Sequence, residues 1–327
     1  MMTKRRRLLA AGALAALGFP WRGAVAQSQQ RVARIGFLTV AEPEFSLDPF
    51  RDGLRQHGYV EGRNIAIEVR FAIRNPDRLP ELAAALAASN VDVIVAGGSD
   101  SIRAAQRATK TIPIVMAQTS DAVAAGFVAN LSRPGGNITG VSSQAVVISA
   151  KRLQMVKELV PHAKRVAVNV NPRNPTHPPA LKILDQAAAS MGLTIRTIEL
   201  RDARALDDVF SGLSKLDVQA MLLLPDNVIF NQRDRIVRLL AQARLPAVHW
   251  RREWVEAGGL ISYGLDNQAL YREAAVYVHK ILMGAKPGDL AVEQPNKFEV
   301  FINLKAAKAL GIVIPQAIRL QADKVIE

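Results

Sequence analysis

From residue 32 onward the chain alternates short apolar runs with amphipathic segments, and this alternation restricts the folds open to it. Apolar runs that predict strands occupy residues 32–38, 65–69, 91–96 and 114–117. Between them, apolar residues recur at helical spacing, as in residues 79–86. Strands that are apolar on both faces and separated by helices are typical of a parallel sheet covered on both sides. The pattern therefore predicts the α/β class.

The same alternation begins again after residue 160, so the chain contains an internal repeat. Residues 79–91 match residues 206–218 without a gap, at an offset of 127. Each half then closes with a proline-led strand, at residues 112–115 and 245–248. Chance alignment of helices rich in alanine and leucine is the alternative, but several matches in the same order favour a repeat. We expect two doubly wound parallel-sheet lobes joined by a multi-strand hinge.

The repeat also suggests where the chain passes from one lobe to the other. We expect the first lobe to comprise residues 32–141 and 267–290, and the second residues 142–266 and 291–327. The crossings then fall near Val141, Gly264 and Pro295. The pattern does not decide which lobe holds the carboxyl-terminal tail, which is grouped here with the second lobe.

Residues 1–26 have the pattern of a signal peptide. A cationic start at residues 4–7 precedes an apolar run at residues 8–19, and Ala24-Val25-Ala26 supplies a small-x-small cleavage site. The run is shorter than the roughly 20 apolar residues that span a bilayer. We expect export to the periplasm with cleavage near Ala26. Sec and twin-arginine export both stay open.

Composition excludes several classes of protein. There is no cysteine, which excludes a disulfide scaffold, thiolate metal sites and a cysteine nucleophile. The five histidines are never at metal-ligand spacing, so neither a metal nor a cofactor is expected. The net charge of +13 includes five cations in residues 1–26, and the remaining cations are interleaved with acids. This favours a solvated basic surface over nucleic acid binding, and no later apolar run predicts membrane insertion of the mature chain.

Polar residues that follow the predicted strands are the candidate site. Ligands of open parallel sheets lie beyond the carboxyl ends of the strands, and two such lobes facing each other enclose a cleft. The candidate ligand-binding residues selected on this basis are Thr39, Ser99, Ser101, Thr119, Asp121, Asn171, Asn174, Asp226, Asn227, Trp250 and Tyr263. Each alone is better explained as a helix cap or a turn residue, but together they converge on one predicted rim.

These side chains suit an amino-acid-like or carboxylate ligand. Hydroxyls and the exposed amides of a helix amino terminus favour an anionic group, which we assign to Ser99, Ser101 and Thr119. A carboxylate favours an amine, which we assign to Asp121 or Asp226. Trp250 or Tyr263 is expected to cover an apolar side of the ligand.

The sequence resembles the ABC-transporter substrate-binding protein family with the type 1 periplasmic-binding fold. Within that family it resembles the branch that includes tryptophan and tyrosine uptake proteins. The resemblance rests on motifs at residues 58–64, 79–82, 91–95, 133–140, 151–153, 255–260 and 292–295. It implies a hinged receptor that delivers its cargo to a membrane permease and performs no chemistry. Asn171 and Asn174 fit the Asn-Pro-x-Asn-Pro pattern of similar proteins, whereas Asp100 replaces a usual proline and Trp250 a usually small residue.

Enzyme interpretations fit the sequence less well, and no catalytic residue is expected. Residues 35–39 lack the glycine pattern of a dinucleotide site. Residues 97–101 imitate the nucleophile elbow of a serine hydrolase but end in Ser101 instead of glycine. A receptor that senses its ligand without transporting it remains an alternative, since both functions use closure of a cleft.

Overall fold

A computed structural model describes residues 32–327 except residues 74, 202, 203 and 205, and leaves out the side chains of residues 145–147 and 214. The predicted signal peptide, residues 1–26, lies outside the described residues. Among the helices of the described part, none is long and apolar enough to cross a membrane.

The strands form two sheets. The first sheet has the order β2-β1-β3-β4-β5 and is parallel throughout. Its strands are β1 (Ala33–Thr39), β2 (Ile65–Phe71), β3 (Val93–Gly97), β4 (Ile114–Gln118) and β5 (Ile138–Gly140). The second sheet has the order β12-β11-β10-β9-β8-β6-β7. Its strands are β6 (Arg165–Val170), β7 (Thr194–Glu199), β8 (Ala220–Leu222), β9 (Ala247–His249), β10 (Ile261–Leu265), β11 (Phe298–Asn303) and β12 (Lys324–Ile326).

Helices cover both faces of the two sheets. Those before residue 200 are α1 (Leu47–Gln56), α2 (Leu79–Ala88), α3 (Ser99–Ala108), α4 (Ala145–Leu159) and α5 (His177–Ser190). Those after residue 200 are α6 (Leu206–Gly212), α7 (Asn227–Phe230), α8 (Arg233–Gln242), α9 (Arg252–Glu256), α10 (Asn267–Leu282), α11 (Leu304–Leu310) and α12 (Gln316–Arg319). Short 3-10 turns include Pro43–Phe45 and Pro76–Arg78.

The fully apolar strands of the sequence are buried on both faces of the sheet. In β3, Val93 and Val95 face the layer of α1 and α10, whereas Ile94 and Ala96 face α2 and α3. All four side chains are 0% exposed. Successive strand residues point to opposite faces, so a central strand between two helical layers needs apolar residues at every position.

The two lobes repeat one topology, as the sequence predicts. In each sheet the second strand lies at an edge, followed by the first, third, fourth and fifth strands of that half. The third strands begin at Val93 and Ala220, which are 127 residues apart. The expectation of two doubly wound parallel-sheet lobes is therefore confirmed. The second sheet adds β11, which pairs antiparallel with β10, and β12, which pairs parallel with β11.

Three segments of the chain pass between the sheets. They follow β5, join β10 to α10, and precede β11. The first and third segments are hydrogen bonded: Glu293 N–H donates to Gly140 O at 3.0 Å, and Ser142 N–H donates to Glu293 O at 2.9 Å. Helix α10 packs against α1 and the first sheet, although its sequence lies between β10 and β11.

Candidate functional site

In the first lobe, the carboxyl ends of the parallel strands β1, β3 and β4 lie side by side at one end of the sheet. The Thr39 hydroxyl donates to Gly97 O at 3.1 Å and accepts from Ala41 N–H at 3.0 Å. A Cβ at Gly97 would lie 2.3 Å from the Tyr271 hydroxyl, so glycine is required there. Thr39 is fully buried, and its hydroxyl fixes the strand ends relative to each other.

Helix α3 begins just after the carboxyl end of β3 and carries two of the predicted hydroxyl groups. The Ser99 hydroxyl lies 3.0 Å from the Thr119 hydroxyl, which follows the neighbouring strand β4. Ser101 is fully buried in α3, and its hydroxyl has no hydrogen-bond partner among the described residues. The structure therefore brings Ser99 and Thr119 together at the amino terminus of a ten-residue helix, where backbone amides favour an anion.

Asp121 has the geometry of a turn residue. Its Oδ1 accepts from Val123 N–H at 3.0 Å and from Ala124 N–H at 2.9 Å. One of its carboxylate oxygens is thereby engaged within its own loop. This is the local role that the sequence left open for each candidate taken alone.

In the second lobe, a buried polar cluster is formed by Asn171, Asn174 and Asp226. Asp226 Oδ2 accepts from Asn171 Nδ2 at 2.9 Å and from Asn174 Nδ2 at 3.1 Å. Asp226 Oδ1 accepts from Val228 N–H at 2.9 Å and Ile229 N–H at 3.3 Å, which caps α7. All three side chains are at most 5% exposed. Four donors hold the Asp226 carboxylate in one orientation.

His177 contacts this cluster through Asn171. It was not among the candidate residues. Its Nδ1 accepts from Asn171 N–H at 2.9 Å, so its Nε2, 3.1 Å from Pro225 O, carries the proton. Burial lowers the pKa of His177, which favours the neutral ring that this arrangement needs. A histidine six residues after an asparagine carries no distinctive signal in the sequence.

Asp100, in the first turn of α3, faces the second lobe. Its Oδ1 is buried and has no hydrogen-bond partner among the described residues. Burial and the Asp226 carboxylate raise the pKa of Asp100 to about 8, while the Arg173 guanidinium opposes the rise. Asp100 and Asp226 therefore interact across the gap between the lobes.

The rims of the two lobes are in contact. Asn231 Nδ2 donates to Val40 O at 2.6 Å. A Cβ at Gly98 would lie 2.6 Å from Asn227 Nδ2, so the predicted residue Asn227 packs against bare backbone of the other lobe. Arg173 also pairs with Asp77 at 2.6 Å. The lobes are thus closed on each other at these points.

Trp250 is more buried than a rim residue needs to be. It is 4% exposed, and its ring centroid lies 5.0 Å from that of Trp254 and 6.3 Å from that of Phe230. It also lines a void of about 10 Å³ between the lobes, together with Gln118 at the end of β4 and Ser143 shortly after β5. Gln118 Oε1 has no hydrogen-bond partner among the described residues. Gln118 and Ser143 were not candidates, although both stand at strand ends.

The rim position expected for Tyr263 is wrong. The sequence placed Tyr263 after a strand ending at Ile261, but β10 continues to Leu265 because β11 pairs with it. The Tyr263 ring packs against Phe298, with centroids 5.4 Å apart, and against the core of the second lobe. Its carbonyl accepts from Nε of buried Arg152 at 2.7 Å, and burial lowers the pKa of Arg152 to about 9.

Within the described part of the chain, no group of three or more histidine, aspartate or glutamate side chains could hold a metal ion. The polar groups of the site come from the strand ends of two similar lobes. Two doubly wound lobes with polar rims apposed in this way define a bilobed solute-binding protein. Residues 44–326 match the family model described as ABC transporter substrate binding protein, and the chain belongs to this family. The family consists of binding proteins, so the chain is not an enzyme.

Relatives agree with this assignment. A tyrosine-binding protein of Clostridioides difficile (strain R20291) is 29% identical over 86% of this chain and 80% of its own length. A conserved domain protein from Vibrio cholerae is 29% identical with a TM-score of 0.84, covering 90% of this chain and 100% of the other. An ABC domain from Streptococcus pneumonia in complex with L-Trp is 25% identical with a TM-score of 0.82, covering 90% and 99%.

A further comparison concerns the arrangement of the lobes. The ligand-free, open structure of a substrate binding protein from Clostridium difficile is also 25% identical and covers 90% of this chain and 99% of its own, yet its TM-score is 0.60. The present structure is therefore closer to the L-Trp complex than to this open form, which agrees with the contacts between its rims.

Proposed function

We propose that the protein captures a small amino-acid-like ligand between its lobes outside the cytoplasm and delivers it to an ABC permease in the membrane. The observation that carries this proposal is the convergence of hydrogen-bonding groups from both lobes. Ser99 and Thr119 stand on one rim, and the cluster of Asn171, Asn174 and Asp226 stands on the other. The signal-peptide pattern of residues 1–26 supports an extracytoplasmic location.

The two rims suit the two charged groups of an amino acid. The amino terminus of α3 offers amides, the hydroxyls of Ser99 and Thr119, and the unpartnered hydroxyl of Ser101 to a carboxylate. On the opposite rim, Asp226 presents a buried negative charge to an ammonium group. Since four protein donors already bind its oxygens, Asp226 attracts the ammonium mainly through its charge and fixed position.

An aromatic or aliphatic side chain is the part of the ligand that Trp250 is proposed to contact. Two relatives, a tyrosine-binding protein and a domain in complex with L-Trp, support an amino acid with a large side chain. Tyr263 faces the core of the second lobe and is left out of this proposal. Thr39 and Asn227 are proposed to shape the rim, since the first ties strand ends together and the second contacts Gly98.

Mobility of the lobes is proposed to occur about the three crossings near Val141, Leu265 and Glu293. The proposed lobes are residues 32–141 with 267–290 and residues 142–266 with 291–327. A ligand shifts such an equilibrium by its difference in affinity for the closed and open forms. Contacts that only the closed form completes, such as those of Ser99 on one side and Asp226 on the other, supply this difference.

Isothermal titration calorimetry of the mature protein, residues 27–327, with the standard L-amino acids tests the proposal. We expect at least one of them to bind with micromolar affinity, about 8 kcal/mol. Asp226→Asn should weaken that binding by about tenfold or more, because a charge-assisted interaction contributes about 1.5–3 kcal/mol. Asp185→Asn on the exposed face of α5 is the matched control and should leave affinity unchanged.

Two results would contradict the proposal. The first is that no L-amino acid binds the wild-type protein at millimolar concentration. The second is that Asp226→Asn binds as tightly as the wild type, which would remove this carboxylate from the site.

A further inference from the structure

Asp100 differs from the other carboxylates of the cleft in its hydrogen bonding. Asp226 accepts four hydrogen bonds and Asp121 accepts two, all from the protein. Asp100 Oδ1 is buried and accepts none from the described residues. Buried polar atoms without partners are rare in folded proteins, and each calls for an explanation such as a functional role or a bound ion.

The position of Asp100 is at the boundary between the lobes. It lines a cavity of about 550 Å³ whose other charged residues are Asp77, Arg103 and Arg107 of the first lobe and Arg173 of the second. The Asp226 carboxylate lies on the opposite rim and raises the pKa of Asp100. Asp100 therefore lies between this cavity and the proposed ammonium site at Asp226.

Three arginines line the same cavity as Asp100, and the Arg173 guanidinium lowers its pKa, but none of the described residues donates a hydrogen bond to its Oδ1. Arg173 pairs with Asp77 at 2.6 Å. On α3, Arg103 donates to Gln106 and to Ala125 O and lies 4.8 Å over the Phe127 ring, while Arg107 is exposed to solvent. Closing the lobes brings the Asp100 and Asp226 carboxyl groups together in a region of low dielectric, where their repulsion is strong. A proton or a positive group of the ligand relieves this repulsion.

We propose that Asp100 is a specificity-determining residue that selects an amino-acid-like ligand with a second positive group, located between Asp100 and the adjoining cavity. This inference rests on the proposed function of the cleft. The α-ammonium group then lies at Asp226, and the second cation interacts with the otherwise unpartnered Asp100 oxygen.

Matched ligand pairs test this inference by calorimetry on the mature protein. L-Lysine is compared with L-norleucine, which lacks only the terminal amino group, and 4-aminomethyl-L-phenylalanine with 4-methyl-L-phenylalanine. In at least one pair, we expect the wild type to bind the cationic member at least tenfold more tightly. Asp100→Asn, which keeps the shape and removes the charge, should reduce that preference to less than threefold. Asp185→Asn should preserve it.

Proton release provides a second readout that a structural role of Asp100 would not change. Burial and the Asp226 carboxylate raise the pKa of Asp100 to about 8, so binding of a cation beside it at pH 7 should release up to one proton. The number follows from the binding enthalpies measured in phosphate and in Tris. Asp100→Asn should release none.

The failures of the two proposals are distinguishable. If neutral members bind as tightly as cationic ones in the wild type, or if Asp100→Asn keeps the preference, the role of Asp100 is overturned while the amino-acid site stands. If no L-amino acid and no member of either pair binds, the proposed function itself fails, and the inference fails with it. The wild-type comparison decides the question even if Asp100→Asn does not fold.

Discussion

The ring of Phe45 in the first lobe lies edge-on to the ring of Phe230 in the second, with centroids 5.4 Å apart and an interplanar angle of 82°. The Arg233 guanidinium lies 4.8 Å from the centroid of Phe45 and 5.0 Å from that of Phe230. Arg233 also pairs with Glu42 at 2.9 Å. The loop after β1 and the start of α8 therefore hold the rims together through ring and charge contacts outside the proposed ligand contacts.

Phe45→Leu should shift the ligand-free protein toward its open form. The substitution removes an aromatic pair and one of the ring faces of Arg233, each worth about 0.5–1.5 kcal/mol. We expect a larger radius of gyration by small-angle X-ray scattering and a Kd raised about three- to tenfold. Phe127→Leu, within the first lobe, is the control: it should lower the melting temperature without changing the scattering curve. Unchanged scattering from Phe45→Leu would show that these contacts do not hold the lobes together.

Gly98→Ala should weaken ligand binding by obstructing closure. Gly98 has a φ of +88°, and a Cβ there would lie 2.6 Å from Asn227 Nδ2 of the other lobe. Gly98 has a ψ of 148°, a backbone conformation that essentially only glycine adopts, so both strain of about 1–3 kcal/mol and the steric conflict act on this position. We expect affinity to fall about tenfold or more by calorimetry. Gly136→Ala, where nothing lies within 4 Å of the added Cβ, should bind as the wild type does. Equal affinities in both variants would contradict close contact of the rims in the bound form.

His249 should make the folded state sensitive to acid. Burial lowers its pKa to about 3, and its ring stacks on Trp254 at 4.8 Å. Between the unfolded value of about 6.5 and the folded value, the unfolded chain binds a proton that the native protein does not. The free energy of unfolding should therefore fall as pH drops through this window, by up to about 1.4 kcal/mol per pH unit from this group.

Urea denaturation of the wild type and of His249→Phe between pH 4 and pH 7 measures this effect. The difference between the two proteins isolates His249 from His177, whose lowered pKa acts in the same direction. We expect the variant to lose less stability on acidification. Parallel curves for the two proteins would show that His249 is not buried in its neutral form.

The repeated features of the fold were the predictable ones. Alternating apolar runs record which strands are central, because a strand between two helical layers must be apolar at every position, as Val93 and Ile94 are. Locating a strand in the sequence also locates its carboxyl end. The sequence therefore predicted that Ser99 lies near Thr119 and that Asn171 lies near Asp226. Such predictions depend only on local periodicity and on the common direction of parallel strands.

Contacts that depend on distant parts of the chain were not predictable in this way. The extension of β10 through Tyr263 depends on β11, which lies more than 30 residues further along. Arg152 has the sequence context of a solvated helix residue, and only the assembled lobe buries it beside the Tyr263 carbonyl. The orientation of Asp100 toward Asp226 likewise depends on how the two lobes meet.

The parallel bridge between Val141 and Glu293 limits the freedom of the crossing segments. Two strands joined by backbone hydrogen bonds bend together but do not slide past each other, since sliding by one residue would break both bonds. In the proposed opening and closing, the lobes would turn about this joint while their alignment along it is conserved. Each cycle of opening and closing should therefore bring the same pairs of rim residues together. The register of this bridge then also determines the shape of the space that encloses the ligand.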